Sequence, residues 1–206
     1  MERRPTKAIR QPRQDSLRNR EKLLVAAAAV FRETGGEGTL EAVARRAGVG
    51  IGTLYRHFPT REALFEAVYR REIDQLAELS AKLEGTGDPV AALRAFLQAL
   101  VGMVATKKGM IKALAIAIDG NSEISCYSFT TLSAAMERLH APAAESGRLR
   151  ADVSADEILQ TVVGLCLARR EERWEPAVLR LIDVFVDGLS LGEAEPSRQT
   201  RNARSG

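Results

Sequence analysis

The chain has 206 residues, 45% of them apolar and 28% charged, a composition that argues against disordered, collagen-like and coiled-coil classes and leaves room for one large domain or two small ones. Net charge is +3 but uneven: through Phe58, twelve Lys and Arg face six Asp and Glu, and the remainder is slightly acidic, the footprint of a protein that meets a polyanion with one end. No unbroken apolar run approaches the roughly 18 residues of a membrane span, and the basic start, Met1 to Lys7, shows no secretory pattern, so a cytoplasmic protein without membrane contact is expected.

Helical apolar spacing recurs almost everywhere and strict alternation does not, so the expected fold class is all-α with about nine helices. Residues 1–15, rich in Arg, Pro and Gln, read as a flexible basic arm. From Ser16 the positions Leu17, Leu24, Ala28 and Phe31 fall on one helical stripe that Gly35-Gly36 stops. Thr39 is placed as N-cap of a short helix with Leu40, Val43, Ala44 and Ala47 inward, ended by Gly48. Residues 50–57 form another short segment. Pro59 cannot sit inside a helix, so a longer helix opens at Thr60 and carries Phe65, Tyr69, Ile73, Leu76 and Leu83 inward.

Beyond Gly85 to Pro89, which combine two glycines, an N-cap Asp and a helix-starting Pro, helical stretches are expected near 89–106, 108–118 and 122–146. Ser154-Ala155-Asp156-Glu157 spells a capping box opening a helix to about Arg170, and Glu175-Pro176 opens the last one, fading at Gly188. Residues 192–206 read as a disordered tail. Cys126 and Cys166 lack metal-ligand or redox spacing and are expected in the core, whereas His140 is expected at the surface. No metal cluster, cofactor motif or nucleophile-base pair is visible, so no catalysis, cofactor or metal is expected.

The informative stretch runs from Thr39 to Phe58. Two short helices meeting at a tight angle need a small residue at their contact and a glycine in the turn; Ala44 and Gly48 supply these, and Val49, Leu54 and Phe58 close a miniature core. That is a helix-turn-helix whose recognition helix is residues 50–57. The candidate DNA contacts are Thr39, Gly52, Thr53, Tyr55, Arg56, His57 and Arg61. Most are donors suited to phosphate oxygens, Gly52 lets backbone come close, and Arg56 is the candidate for base edges with Ile51 for a thymine methyl. The run Gly48 to Gly52 superficially offers a phosphate-cradling loop, but a dinucleotide fingerprint needs a preceding strand, and helical pattern lies there instead.

This stretch resembles the DNA-binding domain of TetR-family transcriptional regulators. The shared pattern is carried by Thr39, Val43, Ala44, Ala47, Gly48, Val49, Gly52, Thr53, Leu54, Tyr55, His57, Phe58 and Leu64. Gly50 departs from it where Ser is frequent, which removes a hydroxyl from the start of the recognition helix, and Arg61 stands where Lys is frequent, which keeps the charge. The resemblance implies an N-terminal three-helix helix-turn-helix domain, residues 16–62, on a larger helical-bundle body, residues 63–191, that dimerises and holds a small-molecule effector. It implies a repressor of transcription, released from double-stranded DNA by its effector; the alternative is a helical small-molecule-binding protein without DNA function.

Under that resemblance the middle helices hold an apolar effector pocket with Phe96, Met103, Met110, Leu114, Tyr127, Phe129 and Met136, and Ser125, Tyr127, Ser128, Thr130 and Thr131 as polar anchors; periodicity alone fits a tight core equally well. The last two helices are apolar over more than one face. They either fill the body core or pair across a two-fold axis, and the resemblance favours a homodimer through Ile158, Val162, Leu165, Leu179, Ile182, Phe185 and Val186. Two recognition helices on one DNA face then call for a near-palindromic operator. The basic arm either enters a minor groove or stays solvated and adds nonspecific attraction.

Overall fold

In the computed structural model, residues 11–34, 37–114, 123–169 and 173–191 are described, and they form eight helices with no strand among them. In chain order these are α1 Gln11–Glu33, α2 Leu40–Ala47, α3 Ile51–His57, α4 Arg61–Leu83, α5 Pro89–Leu114, α6 Glu123–Glu145, α7 Ala155–Ala168 and α8 Glu175–Leu189. The expected punctuation holds where side chains close the helix ends. Thr39 and Thr60 accept from the amides of Ala42 and Ala63, each at 3.1 Å, and Asp88 caps α5 through Val90 and Ala91. Ser154 and Glu157 form the capping box in both directions, and Gly48 ends α2 in the left-handed region at φ 67°.

Three expectations give way. Helix α1 is already formed at Gln11, ahead of the start expected at Ser16; the rest of the arm, 1–10, lies outside the described residues, as do Gly35-Gly36 and the tail 192–206. The stretches expected at 89–106 and 108–118 are one helix as far as Leu114: two lysines favour helix, and one Gly costs about 1 kcal/mol relative to Ala, which tertiary packing easily offsets. His140 and Cys126 exchange places. His140 belongs to the buried stripe of α6 with Leu132, Met136, Leu139 and Ala143, while Cys126 falls off that stripe and is exposed; Cys166 is buried as expected.

The head consists of α1, α2, α3 and the first turns of α4. Its centre is Phe31 against Phe65, with ring centroids 4.3 Å apart and tilted by 63°, closed by Leu54, Phe58 and Val43. The body has α4 packed on α5 and α6, α5 on α8, and α6 on α7. An isolated bridge between Leu149 and Ser190 ties the α6–α7 turn to the end of α8. Pro89–Lys108 within α5 is long and apolar enough to cross a membrane by length and composition. Its Leu93, Phe96, Leu97 and Leu100 are instead fully buried among the other helices, the state of a central core helix.

Helix α4 runs unbroken across the expected boundary at residue 62. It buries Leu64, Phe65 and Val68 near its start and Tyr69, Ile73 and Leu76 further along. A second link lies beside it: Arg32 of α1 donates to the Thr106 hydroxyl of α5 at 2.9 and 3.2 Å and faces Glu72 of α4 at 3.5 Å. Burial raises the Glu72 carboxyl above its ordinary range even though Arg32 and Arg71 oppose the shift.

Candidate nucleic-acid interface and body cavity

In α3, Leu54 is fully buried and anchors the helix to the head, which turns Gly52, Tyr55 and Arg56 outward. Tyr55 keeps 46% of its surface exposed, a large fraction for an aromatic ring. A Cβ built on Gly50 or Gly52 would meet nothing within 4 Å, so open space lies above the helix where a duplex backbone can approach. Thr53 and His57 are half-buried at the flanks. Thr39 and Thr60 use their hydroxyl oxygens as caps and retain the O–H for a phosphate oxygen.

Two of the expected contacts have prior engagements. Arg56 folds along its own helix, donating through Nε to the Gly52 carbonyl at 3.1 Å and through Nη2 to Thr53 Oγ1 at 3.3 Å. Arg61 lies over the rings of Phe31 and Phe65 at 5.5 and 5.1 Å and clasps α1 to α4, so its position is first one of packing. Arg45, in the last turn of α2, is exposed beside these residues and is not among the expected DNA contacts. The adjacent Arg45-Arg46 pair was the available signal. Arg46 bonds Glu33 at 2.5 Å, and that bond holds the Glu33 carboxyl below its ordinary range.

The body has a half-open cavity of about 430 Å³ between α4, α5, α6 and α7, within the size range of small-molecule sites. Of the residues expected there, Met103 and Phe129 line it, as do the anchors Ser125 and Ser128. Phe96 and Met136 do not: both are fully buried in the core, because their helix faces point to neighbouring helices. Tyr127 points instead to Asp74 of α4, which accepts its phenolic hydrogen bond. The side chains of Met110 and Leu114 lie outside the described residues. Tyr69, Lys107 and Gln160, absent from the expected set, line the cavity too.

Residues 23–68 match the family described as bacterial regulatory proteins, tetR family. Residues 88–191, half of the chain, match the transcriptional regulator SbtR-like C-terminal domain. The chain belongs to the TetR family of transcriptional regulators. Among solved TetR structures, the transcriptional regulator SCO0520 from Streptomyces coelicolor is 36% identical with a TM-score of 0.72, covering 83% of this chain and 98% of that one. A TetR transcription regulatory protein from Mycobacterium vanbaalenii is 30% identical with a TM-score of 0.67, covering 87% and 99%. An HTH-type transcriptional regulator of Staphylococcus aureus (strain USA300) is 36% identical over 63 residues, 30% of this chain and 34% of that protein; the chain thus spans about a third of the length of such curated relatives. The N-terminal unit is therefore a TetR helix-turn-helix DNA-binding domain, with α3 in the place of the recognition helix.

The expected dimer residues divide by face. Ile158, Val162, Ile182 and Val186 have no exposed surface within one protomer. They fill the body core and cannot meet a second copy, because their stripes on α7 and α8 point at the other helices of the body. Leu165, Leu179 and Phe185 are half-buried. The outward apolar residues of α8 are Leu181, 37% exposed, and Val184, 69% exposed.

Proposed function

We propose that this TetR-family chain is a cytoplasmic, homodimeric repressor that binds a near-palindromic operator and leaves it when a small apolar effector enters the body cavity. The observation that carries the DNA half of this reading is the outward face of α3. It presents Gly52, Tyr55 and Arg56 beside capped helix starts at Thr39 and Thr60, with no chain segment among the described residues covering it. Tyr55, Thr39 and Thr53 contact phosphates with His57, Gly52 admits the backbone, and Arg56 leaves its two intrahelical bonds to reach base edges.

A two-fold pair is supported by the outward apolar side chains of α8, Leu181 and Val184, beside half-buried Leu179 and Phe185. Effector control follows from α4, which reaches from the head core to the cavity wall at Tyr69. A ligand that prefers one tilt of α4 changes the spacing of the two recognition helices; equal affinity for both arrangements would move nothing.

The reading is tested by mobility shift with DNA from upstream of the protein's own gene, at low salt. Wild type is expected to retard the fragment with an affinity that falls steeply with salt. Tyr55→Phe is expected to weaken binding uniformly and Arg56→Ala to relax base preference as well. Absence of any shift with promoter DNA favours the alternative of a small-molecule-binding protein without DNA function.

A further inference from the structure

The adjacent lysines Lys107 and Lys108 have opposite fates. Lys108 spends its ammonium on the last turn of α7, donating to the carbonyls of Cys166 and Arg169 at 2.9 and 2.7 Å, over the Trp174 ring at 4.3 Å. Lys107 turns into the body cavity. There it donates to the phenolic oxygen of Tyr69 at 2.9 Å, and Tyr69 shares a 2.8 Å hydrogen bond with the Ser128 hydroxyl. Tyr69 and Ser128 are both more than nine-tenths buried. No carboxylate lines this cavity or pairs with Lys107 among the described residues. Around the charge the walls are mostly apolar, with Met103, Val104, Leu132 and Leu159.

An ammonium has three donors; the Tyr69 phenol accepts one of them and its ring centroid, 4.6 Å from Nζ, adds a cation–π attraction, but neither supplies a negative charge. In partly apolar surroundings that leaves a strong preference for an anionic guest, whose charge-assisted bonds are about twice as strong as neutral ones. We infer that the cavity takes an amphiphilic organic anion, its carboxylate on Lys107 Nζ with one hydrogen bond from the Tyr69–Ser128 hydroxyl pair, whose other proton stays in their mutual bond, its apolar body among the side chains of α5, α6 and α7. This rests on the effector reading above and names the chemical class of that effector. The carboxylate site also sits at the junction with the head. Tyr69 belongs to α4, and Thr106, next to Lys107, receives Arg32 of α1.

The test is calorimetric titration of the full chain with sodium decanoate, decan-1-ol and decylamine, probes of one chain length and three head groups, alongside operator binding in the presence of each. Decanoate is expected to bind at least tenfold more tightly than either companion. Lys107→Met is expected to erase that preference and Lys107→Arg to keep it, with thermal melting confirming that both variants fold. Equal binding of decanol, undiminished preference in Lys107→Met, or no binding of decanoate overturns the inference. The two readings fail differently. If decanol releases DNA as well as decanoate does, the anion class falls and the effector reading stands; if decanoate binds preferentially and leaves operator affinity unchanged, the site stands and the effector reading falls.

Discussion

Gly52 is the second residue of the seven-residue helix α3, where it costs up to about 1 kcal/mol relative to Ala, the figure for a helix interior. Space does not require it, since a Cβ there would meet nothing within 4 Å. On the proposed reading, that free room is where a duplex backbone comes to lie. Gly52→Ala is therefore expected to stabilise the head by up to about 1 kcal/mol in thermal melts while weakening operator binding at least tenfold. A variant that gains stability and keeps full affinity would show that no duplex backbone approaches there. Arg56 shows the limit of reading a residue from its type. Its charge and place in the motif were visible in the sequence, but its two bonds back to Gly52 and Thr53 were not; they make base contact a competition with the helix itself. Arg61 was legible as a cation but not as the clasp over Phe31 and Phe65, because ring stacking depends on where α1 and α4 meet.

At the scale of elements, legibility followed local chemistry. The caps at Thr39, Asp88 and Ser154 and the glycine stop at Gly48 needed only neighbouring residues, and each was visible in the sequence. The unbroken α5 was not, because Lys107-Lys108-Gly109 interrupts the apolar pattern although both lysines are good helix formers. Helical phase was the harder quantity. On α6 the buried stripe runs through Ser128, Leu132, Ala135, Met136, Leu139 and His140, which places Cys126 outside, whereas Cys166 shares the inward stripe of α7 with Ile158, Leu159 and Val162. Burial pushes the Cys166 thiol up to about 11 against the pull of Lys108, with Glu175 adding to the rise, so it stays protonated and inert at neutral pH. A disulfide-exchange dye at pH 8 is expected to modify one thiol per native protomer, Cys126, and two in guanidinium. Rapid modification of both in the native protein would contradict the assigned phases. The same uncertainty of phase explains the cavity, where Met103, Phe129, Ser125 and Ser128 were anticipated but Tyr69, Lys107 and Gln160 were not: the wall is shared by four helices, and no single stripe defines it.

For the whole molecule, the all-α head-and-body plan was legible because the helix-turn-helix and the apolar periodicity point the same way. The division between protomer core and outward face was not, since α7 and α8 are apolar on more than one side. With Ile158, Val162, Ile182 and Val186 inside the body, the proposed pairing rests on Leu181 and Val184. Val184→Glu puts a charge on the outward face of α8; it is expected to shift the protein from dimer to monomer in sedimentation, at unchanged helix content, and to lower operator affinity. A dimer that survives this change would place the two-fold axis elsewhere. The central claim, that α3 reads a duplex in two symmetric copies, is tested most directly by selecting binding sequences from random double-stranded DNA with the full-length protein. The account predicts enrichment of an inverted repeat with half-sites about one helical turn or slightly more apart, whose base preference relaxes in Arg56→Ala. Failure to enrich any sequence at low salt, or enrichment of a site without two-fold symmetry, would contradict it.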